Sequence, residues 1–171
     1  MNWFTRRAEA EAKKDTIPFS ERVGNIVGVV IGFLVVLYFV AHQTGATGFF
    51  TSKFATEEML LFYGSLMYGI VSPALKGLVG RKNLVRPFDA VGLIFSAVAV
   101  AWLLVVYPFD FTYFADVLPS FLRFLLQWIS NDIARALMAL GIIVIPVIAI
   151  YNAVLYMLVR RELSKPAPET V

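Results

Sequence analysis

The sequence contains no cysteine. That single absence removes disulfides, thiolate nucleophiles, iron–sulfur ligation and cysteine-based zinc sites. Histidine occurs once, as His42, so bis-histidine haem ligation, the HExxH zinc pattern and a Ser-His-Asp triad each lack a component. Near the end of an apolar run, this lone imidazole is expected to be a wetted interfacial side chain. The glycines build no phosphate loop, since neither GxxxxGK[ST] nor GxGxxG occurs after a strand pattern. Regularly spaced arginines inside an apolar run, the mark of a voltage sensor, are missing as well. Charge is scarce overall, at 16% of residues against about 25% in ordinary soluble domains. No cofactor, no metal and no catalytic residue is expected.

What the chain has instead is apolar bulk. Of 171 residues 59% are hydrophobic and 15% aromatic, which places it among membrane proteins. The net charge of +3 does not point to nucleic acid, because Lys and Arg fall in short clusters between apolar runs rather than on one face. The pattern predicts an all-α integral membrane fold: a four-transmembrane-helix bundle with an extracytoplasmic interfacial amphipathic helix and a short cytoplasmic N-terminal helix. The spans are expected at about 23–41, 59–79, 90–107 and 133–159, the interfacial helix at about 118–129, the N-terminal arm at 1–22 and the C-terminal tail at 160–171.

Two of the spans carry small residues at helical spacing. Gly24, Gly28 and Gly32 recur every fourth residue in the first, and Ser65, Gly69, Pro73 and Gly77 in the second. Such stripes let a neighbouring backbone approach closely. A kink is expected near Pro73. The fourth run exceeds the roughly 30 Å hydrocarbon core at about 1.5 Å per residue, so it must tilt, bend at Pro146 or project.

Orientation follows from the bases. Arg6, Arg7, Lys13, Lys14 and Arg22, then Lys76, Arg81, Lys82 and Arg86, then Arg160, Arg161 and Lys165 all fall on one side if the chain crosses four times. By the positive-inside rule both termini are then cytoplasmic in a multi-pass protein of the cell membrane. The arm is a poor signal peptide, since its basic region is long and contains Glu9, Glu11, Asp15 and Glu21. Its RRAEAEAKKD stretch reads as a solvated helix anchored by Trp3 and Phe4. Between Leu118 and Ile129, apolar residues at i, i+3, i+4 and i+7 suit a helix lying on the outer leaflet.

Polar groups inside spans are expensive, so they are the candidates for function. Asn25 and Asn152 both fall toward the cytoplasmic half, where hydrogen bonding between helices is their ordinary use. Asp132 and Arg135 lie one turn apart at the outer end of span four and suit a local ion pair or an outer charged ring. Asp89 is expected to begin span three and to pair with Arg86 or Lys82. The sequence therefore predicts a non-enzymatic polytopic membrane protein acting through helix–helix association, either as accessory subunit of a membrane complex or as homo-oligomeric scaffold. Its partners are the lipid bilayer, copies of itself or other membrane subunits, and not nucleic acid. The alternative is an oligomeric small-ion or solute channel or transporter, with Asn25, Asn152, Asp132 and Arg135 along its path.

Overall fold

The computed structural model describes residues 3–165 and is built of helices. They are α1 (Trp3–Lys13), α2 (Phe19–Thr44), α3 (Thr56–Val79), α4 (Lys82–Val106) and α5 (Asn131–Leu163). Four of these, α2 to α5, are long and apolar enough to cross a membrane. Each packs chiefly on its neighbour in sequence, and α1 turns back to pack on α5. The end helices of this row, α2 and α5, do not pack closely on one another.

The helices run past the expected boundaries. α4 begins at Lys82 rather than near Ala90, and only Gly80 and Arg81 separate it from α3. Gly80 makes this turn possible by taking φ +70°, a left-handed conformation that costs glycine little. The ends that meet there are capped from the N-terminal arm. Arg22 donates from Nε to the Gly77 carbonyl (2.8 Å) and from Nη2 to that of Leu78 (2.9 Å). Asp15 accepts at its carbonyl from Lys82 N (2.8 Å) and at Oδ1 from Asn83 N (2.7 Å). A cation thus sits on the carbonyl end of α3 and an anion on the amide end of α4, as both helix dipoles favour.

The arm is therefore docked rather than solvated. Ala8 is buried against Leu155 and Val159 of α5, and Glu11 bonds Arg86 of α4 at 2.7 Å. This explains the length of α5: its 33 residues span about 50 Å at about 1.5 Å per residue, and its final turns carry α1. Helix persists to Leu163, so the tail expected from 160 starts later; residues 166–171 of that tail, and 1–2 of the arm, lie outside the described residues.

At the opposite end the loops fold over an aromatic core. Phe49 is almost fully buried, with the rings of Phe50, Phe109, Phe111, Phe114, Phe39 and His42 at centroid distances of 4.9–5.6 Å. His42, expected to be wetted, is only 1% exposed. Its Nδ1 lies 2.6 Å from Thr47 Oγ1 and its Nε2 3.1 Å from the Phe114 carbonyl, so both ring nitrogens are satisfied where the loops close over them. The same carbonyl accepts from the Tyr38 hydroxyl.

The amphipathic α-helix expected at 118–129 does not form. The chain makes a 3-10 helix over Ser120–Leu125 and then turns. Arg123 folds back to bond the carbonyls of Leu118 (3.1 Å) and Asp116 (3.2 Å) and the Asp116 carboxylate (3.4 Å). These bonds hold the segment in a compact loop, and Phe121, Phe124, Leu125 and Trp128 remain exposed on its surface.

Candidate functional site

The small-residue stripes are largely used up inside the chain. A Cβ built on Gly32 would lie 2.7 Å from Ile70 of α3, and one on Gly77 would lie 2.6 Å from Ile26 of α2. At Gly28 it would meet Pro73 at 4.0 Å. Close packing of α2 on α3 thus accounts for Gly28, Gly32, Pro73 and Gly77, while the Ser65 hydroxyl bonds the Phe62 carbonyl of its own helix. Only Gly24 and Gly69 have nothing within 4 Å of the Cβ position.

Gly69 faces a cavity. Two adjoining hollows of about 350 Å³ and 270 Å³ share Lys76, Asp89 and Asn152. One continues between α3 and α4 past Ser72, Gly69, Gly92 and Tyr68 to Ser96. The other continues toward the basic end past Asn25, Glu21, Lys82, Arg86 and Ile17. From Lys82 to Ser96 this cleft follows α4 for about 21 Å at about 1.5 Å per residue. α2 and α5, which do not close on each other, each supply one amide to its wall, Asn25 and Asn152.

Lys76 Nζ and Asp89 Oδ2 stand 3.0 Å apart at the junction of the hollows. The expected partners of Asp89 are engaged elsewhere: Lys82 pairs with Glu21 at 2.8 Å and Arg86 with Glu11 at 2.7 Å. Each base lining the cleft therefore has a carboxylate partner, Glu11 being shared between Arg86 and Arg7 at 3.2 Å. Because α4 starts at Lys82, Asp89 lies not in its first turn but seven residues in, about 10 Å along the axis. An ion pair at that depth carries a desolvation cost, which mutual contact and the remaining exposure of Lys76, 30%, offset.

The four polar residues of the sequence reading separate into two places. Asn25 and Asn152 join in the cleft; Asp132 and Arg135 lie at the other end of the molecule. There the Arg135 guanidinium covers the Tyr107 ring, 4.1 Å from its centroid, and the expected local ion pair with Asp132 is not among the salt bridges of the described residues. Nearby, Asn131 links the loops by donating to Asp110 (3.2 Å) and accepting from Phe111 N (2.9 Å) and the Tyr107 hydroxyl (3.1 Å). The Thr112 hydroxyl, at 2.7 Å, holds the Asp110 carboxyl below its usual range; partial burial opposes this, and the Thr112 amide and Asn131 add to it. Burial pushes the Tyr107 phenol up. Among the described residues no group of three or more His, Asp or Glu is placed to hold a metal ion.

The Lys76–Asp89 pair was not legible in the sequence, where Asp89 is expected to pair with Arg86 or Lys82 and Lys76 counts only among the inner bases. Comparison with known protein families, with curated proteins and with solved structures finds no match to this chain.

Proposed function

We propose that this is a multi-pass membrane protein, with both termini cytoplasmic, that acts by binding a small polar or amphiphilic ligand in the cleft between α2 and α5. One observation carries the reading: four apolar helices each contribute a polar group, Asn25, Lys76, Asp89 and Asn152, to the same hollow space. Ionisable groups within spans are costly and mark ligand or ion paths by default. The basic residues of the arm, the α3–α4 turn and the end of α5 support a cytoplasmic side for the cleft. No nucleophile, acid–base pair or metal is invoked, so the proposed role is binding or passage of a solute and not catalysis.

The lack of cysteine gives a direct test. Single cysteines replacing Asn25, Asn152, Arg123 and the exposed Val98 are introduced and challenged with a membrane-impermeant thiol reagent in sealed vesicles of either orientation. Asn25→Cys and Asn152→Cys are expected to react from the cytoplasmic side only, Arg123→Cys from the opposite side only, and Val98→Cys from neither. An unreactive position 152 on both sides would remove the solvated cleft.

A second reading, association with another copy or another membrane subunit, is favoured by α2. None of its residues before His42 is buried, and Gly24 faces open space. Gly24→Leu is the informative change, since Gly28 and Gly32 already face α3. Loss of an oligomer with an unchanged melting temperature supports this reading, and an unchanged oligomer opposes it.

A further inference from the structure

The charge pattern and shape of the cleft narrow the ligand further. Its cytoplasmic portion presents both signs, as Lys76 with Asp89 and Lys82 with Glu21. Its deeper portion, toward Ser96, carries no charged group: Leu93, Tyr68, Gly69 and Gly92 line it together with the hydroxyls of Ser72 and Ser96. Phe88 is 48% exposed at the border. Charged at the headgroup level and uncharged toward the membrane middle is the profile of one amphiphile lying along α4. The space between α2 and α5, two helices not packed on each other, provides a lateral way in from the bilayer.

The head must satisfy a site that carries both signs, with Arg86 held by Glu11 beside the two pairs. A purely anionic head would gain Lys76 but meet Asp89 and Glu21, and a purely cationic one would meet Lys76 and Lys82. A zwitterion can enter the Lys76–Asp89 pair and replace one ion pair by two. Asp89 further selects the cation, because a primary ammonium donates charge-assisted hydrogen bonds to a carboxylate whereas a quaternary ammonium has no N–H to give. Asn152, with two N–H donors and a carbonyl acceptor, can serve either end of the head, and Asn25, which gives one N–H to the Glu21 carbonyl at 2.8 Å, keeps a donor and its acceptor.

We infer that the cleft binds a phospholipid whose headgroup joins a phosphodiester to a primary ammonium, the phosphate on Lys76 and the ammonium on Asp89. This inference rests on the cleft being a ligand site, as proposed above. The test is native mass spectrometry of the full chain. Three lipids with the same acyl chains are compared, carrying phosphoethanolamine, phosphocholine and phosphoglycerol heads, with soluble glycerophosphoethanolamine as competitor.

The ethanolamine lipid is expected to bind about tenfold or more tightly than the other two. Asp89→Asn should erase its advantage over the choline lipid. The double variant Lys76→Asp, Asp89→Lys keeps an ion pair for folding but inverts the site, and should lose the preference while melting like the parent. Asn152→Leu should weaken the ethanolamine lipid severalfold, and Arg123→Gln, outside the cleft, should change nothing.

Tighter binding of the glycerol lipid, weakened by Lys76→Gln, would overturn the zwitterion and leave the cleft as an anionic lipid site. Equal competition by glycerophosphoethanolamine would overturn the lipid and leave a soluble zwitterion. Headgroup-independent binding, untouched by every cleft variant, would overturn both this inference and the binding function beneath it.

Discussion

Asp15 and Arg22, seven residues apart in the N-terminal arm, cap the two helix ends that meet at the Gly80–Arg81 turn: Arg22 the carbonyl end of α3, Asp15 the amide end of α4. The arm thereby fixes where α4 starts, and with it the depth at which Asp89 meets Lys76.

Asp15→Ala should therefore act like loss of a helix cap. The expected loss is about 1 kcal/mol of stability, within the usual 0.5–2 kcal/mol range, read from thermal unfolding in detergent. Asp15→Asn should retain most of it, since the amide oxygen still accepts from Asn83 N. An Ala variant as stable as the parent would show that solvent caps α4 equally well.

Gly77 and Gly24 should respond in opposite ways. A side chain at Gly77 drives into Ile26 and the Arg22 carbonyl, so Gly77→Leu is expected to cost about 1–3 kcal/mol through overpacking. Gly24→Ala meets nothing and should leave the melting temperature unchanged or raise it through helix propensity. Equal effects at both sites would contradict the packing of α2 on α3.

His42→Ala should be among the most damaging changes at the aromatic end. It empties a site beneath Phe49 and Phe114, removes the imidazole from the Thr47 hydroxyl and leaves the Phe114 carbonyl with Tyr38 alone. The expected loss is about 2–4 kcal/mol. His42→Gln, which can still hydrogen-bond, should lose less. A melting curve unmoved by His42→Ala would mean the outer loops do not depend on this residue.

Asp110 should make the outer loops acid-sensitive. Its carboxyl is held below the ordinary value of about 3.9 in the folded chain, so the unfolded chain takes up the proton first as pH falls. The stabilisation is complete above the ordinary carboxylate range and is lost as pH drops toward the depressed folded value. Asp110→Asn should flatten that part of the profile of melting temperature against pH between about 5 and 3. An unaltered slope would assign the acid sensitivity to other carboxylates.

The existence, number and approximate course of the apolar helices were legible in the sequence, because runs of such hydropathy leave few alternatives to a helix whose backbone bonds itself. The grouping of bases was legible too. Only the tertiary structure decided which polar residues meet. Residues 60 or more positions apart, Asp15 with Asn83 and Glu11 with Arg86, leave no periodic trace that one sequence can show, and neither do Asn25 and Asn152, which line one hollow. Local pattern likewise could not reveal that Arg123 would hold the Ser120–Leu125 segment in a 3-10 turn, or that His42 would be roofed by loops from elsewhere. Hydropathy is a sum over neighbours in the chain and so survives in the sequence; the cleft is a meeting of distant side chains, and only the packing of α2 to α5 brings it into being.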